Sequence, residues 1–130
     1  MKKIIIDTNF LMIPIQFRVD IFSEIDRICN FNYKLYIFDK SIDELKNIIK
    51  KQAVKDRKAA KFALKLIKLK NIGIIKSERE NVDALILNNL SKDTIVATQD
   101  MLLKKKLLEK SASLIILRQK KYLQLAGKVL

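Results

Sequence analysis

The chain has no histidine, one cysteine, one proline and only two glycines in 130 residues. Without imidazole it has neither Ser-His-Asp nor Cys-His nucleophilic machinery, and no histidine metal site. Catalysis must therefore draw on carboxylates, hydroxyls, lysines or a metal held by oxygen. The lone Cys29 excludes an internal disulfide and a cysteine-rich zinc site. It stands at helical spacing from Ile25, so a small core residue is expected rather than a nucleophile. Scarce glycine and proline leave almost no flexible linker, and no internal repeat or low-complexity tail is visible. No apolar run reaches the roughly 18 residues of a membrane span. The opening Met1-Lys2-Lys3-Ile4-Ile5-Ile6 starts like a secretory signal, but Asp7 interrupts it and no small-residue cleavage site follows. A soluble, cytoplasmic protein with no membrane partner is expected.

Negative charge is scarce too: 14 Asp+Glu face 27 Lys+Arg, a net charge of +13. Such an excess favours phosphate-rich partners, nucleic acid ahead of a membrane surface, because the cations recur along the whole chain. A Lys- and Ile-rich genome, or adaptation to heat, produces the same excess for blander reasons. At 49% hydrophobic and 32% charged the chain is globular. Its length suits one domain, residues 1–130, burying roughly 68% of its unfolded surface.

Short apolar runs at 4–6, 35–38, 94–97 and 114–117 read as buried strands, with a weaker candidate at 72–75 around Gly73. Helical patterns cover 19–30, 41–51, 56–70, 81–90 and 99–109. Within 56–70, Phe62, Leu66 and Leu69 with Ala59, Ala63 and Ile67 form the apolar side, and Lys58, Lys61, Lys65 and Lys68 face solvent. Helices between continuous apolar strands predict an α/β fold with a central, mostly parallel sheet covered on both faces. Residues 9–17 are the least regular, and Pro14 makes them either a broken short helix or a loop over a site.

In such a basic chain four acids are conspicuous, each at a seam between elements: Asp7, Glu44, Asp83 and Asp100. Ligands of parallel α/β sheets bind outside the carboxyl ends of the strands. Asp7 directly follows a predicted strand and Asp100 follows another, while Glu44 and Asp83 fall in first helical turns, so all four can converge there. Their oxygens suit Mg²⁺ or Mn²⁺. The structural alternative is specific. Ser41-x-x-Glu44 matches a capping box, and Asp83 after Asn81 and Asp100 after Thr98 suit helix N-termini. Asp7 has no such explanation, because a buried unpaired acid is costly.

The order Ile5-Ile6-Asp7-Thr8-Asn9, Glu44-Leu45, Asp83-Ala84-Leu85-Ile86 and Val96-Ala97-Thr98-Gln99-Asp100 resembles the PIN-domain nucleases over nearly the whole chain. The resemblance implies a PIN-like three-layer α/β fold and metal-dependent endoribonuclease activity. It implies Asp7, Glu44, Asp83 and Asp100 as catalytic and metal-holding acids, supported by Thr8, Asn9 and Thr98. Asp7-Thr8-Asn9-Phe10, Ile15-Gln16-Phe17 and Asp20-Ile21-Phe22 are similar to the branch that processes small-subunit ribosomal RNA. So are Leu103-Lys104-Lys105-Lys106-Leu107 and Ile116-Leu117-Arg118-Gln119-Lys120-Lys121-Tyr122. Many members of that branch carry two adjacent aspartates where this chain has Val82-Asp83, so one accessory carboxylate is missing.

The expected chemistry is hydrolysis of RNA phosphodiesters, the expected partner being RNA in the form of ribosomal RNA or a pre-ribosomal particle. Phosphate contacts fall to Lys104, Lys105, Lys106, Arg118, Lys120 and Lys121, with Tyr122 either stacking on a base or packing in a last helix. A homodimer is common among such nucleases, and helix 19–30 supplies either its interface or core. Two alternatives keep other roles for the same residues: a toxin-type PIN ribonuclease held by an antitoxin, and a non-catalytic RNA-binding assembly module. A receiver-like phosphoacceptor would want paired acids after the first strand and a lysine after a late one, where this chain has Asp7 alone and Arg118.

Overall fold

The apolar runs assemble into one sheet. The computed structural model describes residues 1–51, 53–77 and 81–127. It contains β1 (Lys2–Ile6), β2 (Tyr33–Phe38), β3 (Gly73–Ile75), β4 (Thr94–Ala97), β5 (Ser113–Arg118) and β6 (Tyr122–Gly127), in the order β3-β2-β1-β4-β5-β6. The first five are parallel and β6 returns antiparallel beside β5. Between them run α1 (Ile13–Phe17), α2 (Ile21–Ile28), α3 (Asp39–Lys51), α4 (Val54–Leu69), α5 (Val82–Asn88) and α6 (Met101–Glu109). The α/β architecture read from the sequence is the one observed.

Alternation along the strands divides the core into two layers. Ile4, Ile6, Ile37, Ile95 and Ala97 join residues of α1 to α4, including Ile13, Ile21, Ile25, Leu45 and Ala63. On the opposite face Ile5, Phe38 and Val96 join Val82, Leu85 and Ile86 of α5 and Leu103 and Leu107 of α6. Each fully buried isoleucine contributes roughly 1.5–3 kcal/mol relative to exposure. From β1 the chain builds outward through β2 to β3, then crosses back to lay β4 on the other side of β1. The β1–β4 boundary is therefore the topological switch point, where open parallel sheets have their crevice.

Several local expectations are corrected. Residues 8–12 form a 3₁₀ turn leading into α1, whose first turn accommodates Pro14, so proline starts this helix rather than breaking it. Helix α3 begins at Asp39, so Ser41 is an interior, fully buried residue and cannot form a capping box with Glu44. The buried stripe of α4 is Ala59, Ala60, Ala63, Leu66 and Ile67, while Phe62 and Leu69 are exposed. Helix α2, capped by Asp20 through Phe22 N and Ser23 N at 3.1 and 3.2 Å, buries Ile21 and Ile25 in the core. Cys29 is buried, and burial pushes its thiol up to about 11, as suits an inert core residue.

Among the described residues after β5 there is a strand where a last helix was expected. Tyr122 opens β6, joined to β5 by a turn in which Lys121 N donates to Arg118 O at 2.9 Å. Both central residues, Gln119 and Lys120, have positive φ, 52° and 56°, a conformation suited to Asn-Gly. On the outer edge of β6, Leu123 N donates to Glu24 Oε1 at 2.9 Å and Leu123 O accepts from Arg27 at 3.1 Å. Side chains of α2 thus occupy backbone groups an edge strand would otherwise offer to another chain. Replacing Gln119-Lys120 by Asn-Gly is expected to stabilise the fold by about 1 kcal/mol. A urea midpoint unchanged or lowered would show that the turn carries no such strain.

Candidate metal centre

Strand β1 ends beside β4: Ile6 pairs with Ala97, and Asp7 N donates to Ala97 O at 2.9 Å. The chain then leaves the sheet, so Asp7 stands at the switch point, only 5% exposed. Both of its oxygens are held. Thr8 N donates to Oδ1 at 2.9 Å, and Thr98 Oγ1, from just beyond β4, donates to Oδ2 at 2.8 Å. Thr98 Oγ1 also accepts from Asp100 N at 3.0 Å, tying the loop after β4 to the end of β1. Asp100 caps α6 by accepting from Leu103 N at 3.0 Å. The capping role expected of Asp100 is real, and it leaves further acceptor capacity on the carboxylate.

Glu44 arrives from the other side on α3, where the Thr8 hydroxyl hydrogen-bonds to its carboxylate and to Ser41 Oγ, the latter at 2.8 Å. Ser41 and Glu44 lie three residues apart on one helical face, so their shared partner follows from helix geometry. Asp83 sits in the first turn of α5 behind Asn81, whose side chain accepts from Ala84 N at 2.8 Å. The four acids line one open cleft of ≈ 530 Å³, with Thr8, Asn9, Asn47, Ile48, Asn81 and Val82 completing the wall. All four expected acids are thus brought together, along with Thr8 and Asn9, and Thr98 lies directly behind Asp7. Asn47 escaped the sequence reading and Ser41 was read there only as a cap, although both stand three residues from Glu44 and helical spacing points to them.

The electrostatics are those of crowded acids. Burial first, then the charges of Asp83 and Glu44, push Asp7 from 3.8 up to about 6 against the opposing hydrogen bonds of Thr98 and Thr8. Asp83 is raised by burial and by Asp100, with Lys106 acting in the opposite direction. Such a set holds negative charge against its own repulsion, which a divalent cation relieves. The donors are hard oxygens, suited to Mg²⁺ or Mn²⁺. Among the described residues no three acids stand close enough together to hold a metal ion as they are placed. An ion of the Mg²⁺ type keeps several waters and needs only one or two carboxylates plus substrate oxygens.

The expected phosphate-binding residues fall into two groups at this end of the sheet. Lys104, Lys105 and Lys106 ride on α6, which starts at the cleft, and Lys106 is close enough to bear on Asp83. Arg118, Lys120 and Lys121 belong to the β5–β6 hairpin, at the carboxyl end of β5. There Arg118 Nε donates to Gln124 Oε1 at 2.9 Å and the Lys120 ammonium lies 5.7 Å from the Phe17 ring centre. No described helix is long and apolar enough to cross a membrane.

Comparison with known proteins bears on the fold and the family. A curated relative, Ribonuclease VapC4 of Methanocaldococcus jannaschii, is 33% identical over 131 residues, covering 99% of this chain and all of that protein. A solved structure of the PIN domain endonuclease Utp24 shares the fold, with a TM-score of 0.77 at 19% identity over 98% of this chain and 95% of that one. The family model described as a PIN-like domain matches residues 4–120, from the first strand through the tip of the β5–β6 hairpin. The chain belongs to the PIN-like domain family.

Proposed function

We propose that this protein is a divalent-metal-dependent endoribonuclease, in which Asp7, Glu44, Asp83 and Asp100 hold Mg²⁺ or Mn²⁺. The observation carrying this reading is the convergence of four acids at the switch point of the sheet, in a chain of net charge +13. The relative named a ribonuclease supports RNA as the substrate class. When bound, the metal supplies Lewis-acid activation for phosphodiester hydrolysis. The chain's own contribution is positioning. Thr98 and the Thr8 amide fix both Asp7 oxygens, and the Thr8 hydroxyl fixes Glu44 relative to Asp7. Lys106 offers a cation at the Asp83 rim for a phosphate, and the Asn9 and Asn47 amides offer hydrogen bonds along the cleft wall. The direct test is incubation of purified protein with single-stranded RNA. Cleavage in Mn²⁺ or Mg²⁺ that stops in EDTA is expected. No cleavage, together with no Mn²⁺ binding by calorimetry, favours the non-catalytic RNA-binding module.

RNA is expected to bind through counterion release, so log affinity of an inactive variant should fall linearly with log salt. If Lys104, Lys105, Lys106, Arg118, Lys120 and Lys121 all meet phosphates, the slope is about −4, at ~0.7 per phosphate for a single strand. Lys105→Ala with Lys106→Ala should flatten it by about 1.4. A flat dependence in the parent would assign the charge to something other than RNA.

Two finer readings compete for the substrate. Ribosomal RNA processing is supported by the Asp7-to-Phe22 segment and the basic ending, and a toxin-type role by the 33% identity to Ribonuclease VapC4. Growth arrest on expression that depends on Asp7 and is relieved by a small partner protein supports the toxin. Accumulation of small-subunit precursor RNA on depletion supports processing.

A further inference from the structure

Beside the acidic cleft lies a second cavity of ≈ 470 Å³ that shares Asn9, Ile48 and Asp100 with it. Its other walls are Met12, Gln16, Asp56 and Gln99. Gln99 Nε2 lies 3.4 Å from Asn9 O, at the boundary of the two spaces. Metal chemistry at the four acids gives Gln16, Asp56 and Gln99 no task. The lining has a distinct character: apolar Met12 and Ile48, the amides of Asn9, Gln16 and Gln99, the Asp56 carboxylate, and at the boundary the Asp100 carboxylate, already engaged in capping α6. Amides and a carboxylate over apolar surface match a nucleobase, whose faces are apolar and whose edges carry donors and acceptors. The conflicting feature is Asp56, an anion in the path of a polyanion. It opens α4, where an acid suits the helix dipole. It also lines this second cavity, and an ionised carboxylate only accepts hydrogen bonds.

Resting on the ribonuclease reading, we propose that this second cavity is a base-reading subsite for the unpaired nucleobase next to the cleaved phosphate. Asp56 there accepts a hydrogen bond from an exocyclic amine, so the subsite selects against uridine. Adenine, cytosine and guanine each present such an amine, and carboxylates accept from cytosine N4 in known base readout. Uracil carries O4 where cytosine carries its amine, and its one donor on that edge, N3–H, is flanked by two carbonyl oxygens, which the carboxylate repels. Met12 and Ile48 take the base face, and Gln16 and Gln99 contact the remaining edge atoms.

The experiment is cleavage of a randomised single-stranded RNA in Mn²⁺, with the bases flanking each new end counted by sequencing. One flanking position should be depleted of uridine at least about fivefold. Asp56→Asn, which supplies an amide donor that uracil accepts, should remove or reverse that depletion. Reading the ratio between bases separates this role from simple charge removal, which would favour every RNA alike. No bias at any flanking position, or a bias unchanged by both Asp56→Asn and Gln16→Leu, overturns the subsite while leaving the nuclease intact. If no metal-dependent cleavage occurs, the nuclease reading falls, and the library is instead partitioned by binding to the protein. Uridine depletion that Asp56→Asn removes then supports the subsite, and its absence overturns it.

Discussion

Asp7→Asn should reduce metal-dependent cleavage at least about a hundredfold and, without metal, make the fold more stable. Both effects come from one carboxylate. Asp7 is 5% exposed and its folded value of about 6 lies well above the ordinary 3.8. The rise corresponds to a cost on the order of 3 kcal/mol once the group is ionised. The cost is absent below about pH 4, where folded and unfolded forms are both protonated. It grows as pH rises towards 6 and is complete above that. Metal-free protein should therefore lose stability between pH 4 and 6 from this group, whereas the asparagine variant should not. Asparagine forfeits part of the pairing with Thr98 and Thr8, worth ~1 kcal/mol, so the net gain at pH 7 is about 1–2 kcal/mol. Mn²⁺ should reverse the ranking, since ligand at a hundred times Kd adds ~2.7 kcal/mol to the protein that binds it. Urea titrations in EDTA and in Mn²⁺ at pH 5 and pH 7 read both signs. Undiminished cleavage by the variant, or a less stable variant in EDTA, would remove Asp7 from the role given to it.

The sheet was legible because its parallel strands are buried on both faces and carry nearly continuous apolar runs. Ile4-Ile5-Ile6 and Thr94-Ile95-Val96-Ala97 have no polar alternation to confuse with a helix. Strand β6 was not legible for the opposite reason. Tyr122-Leu123-Gln124-Leu125 alternates as a half-exposed edge strand does, and the turn before it uses Gln119-Lys120 in place of Asn-Gly. The start of α3 was missed because Asp39, not Ser41, begins it, with Asp39 accepting from Ser77 N at 3.1 Å across the cleft end of β3. No local pattern encodes that long-range pairing.

At the site the residue types were legible but their division of labour was not. Glu44 had been ambiguous between cap and ligand. Burial of Ser41 inside α3 removes the capping box, and the Thr8 hydroxyl turns both residues towards Asp7 instead. Asp100 moves the other way, since its capping bond to Leu103 is present alongside its place in the cleft. The departure at Val82 also gains a physical reading. Its side chain is 2% exposed and packs with Ile5, Phe38 and Val96, so an acid there would lose a core contact.

Thr98→Val should lower cleavage about ten- to hundredfold and destabilise the fold by about 2–3 kcal/mol, opposite in stability to Asp7→Asn. Thr98 is 0% exposed, so valine preserves shape while deleting the hydroxyl. Two bonds vanish together: the donation to Asp7 Oδ2 at 2.8 Å and the acceptance from Asp100 N at 3.0 Å. The first loss removes the largest influence holding the Asp7 carboxyl down, so its titration should move above 6. The second leaves the Asp100 amide without its partner and loosens the start of α6. Carboxyl titration by NMR in the metal-free protein separates positioning from simple damage. A purely structural defect lowers the unfolding midpoint without moving the Asp7 titration, whereas a positioning role moves both. Thr98→Ser restores the hydroxyl but not the methyl group, and should recover most of the cleavage with part of the stability. Serine no better than valine would mean that packing of the methyl, not the hydroxyl bridge between β1 and α6, is what the site requires.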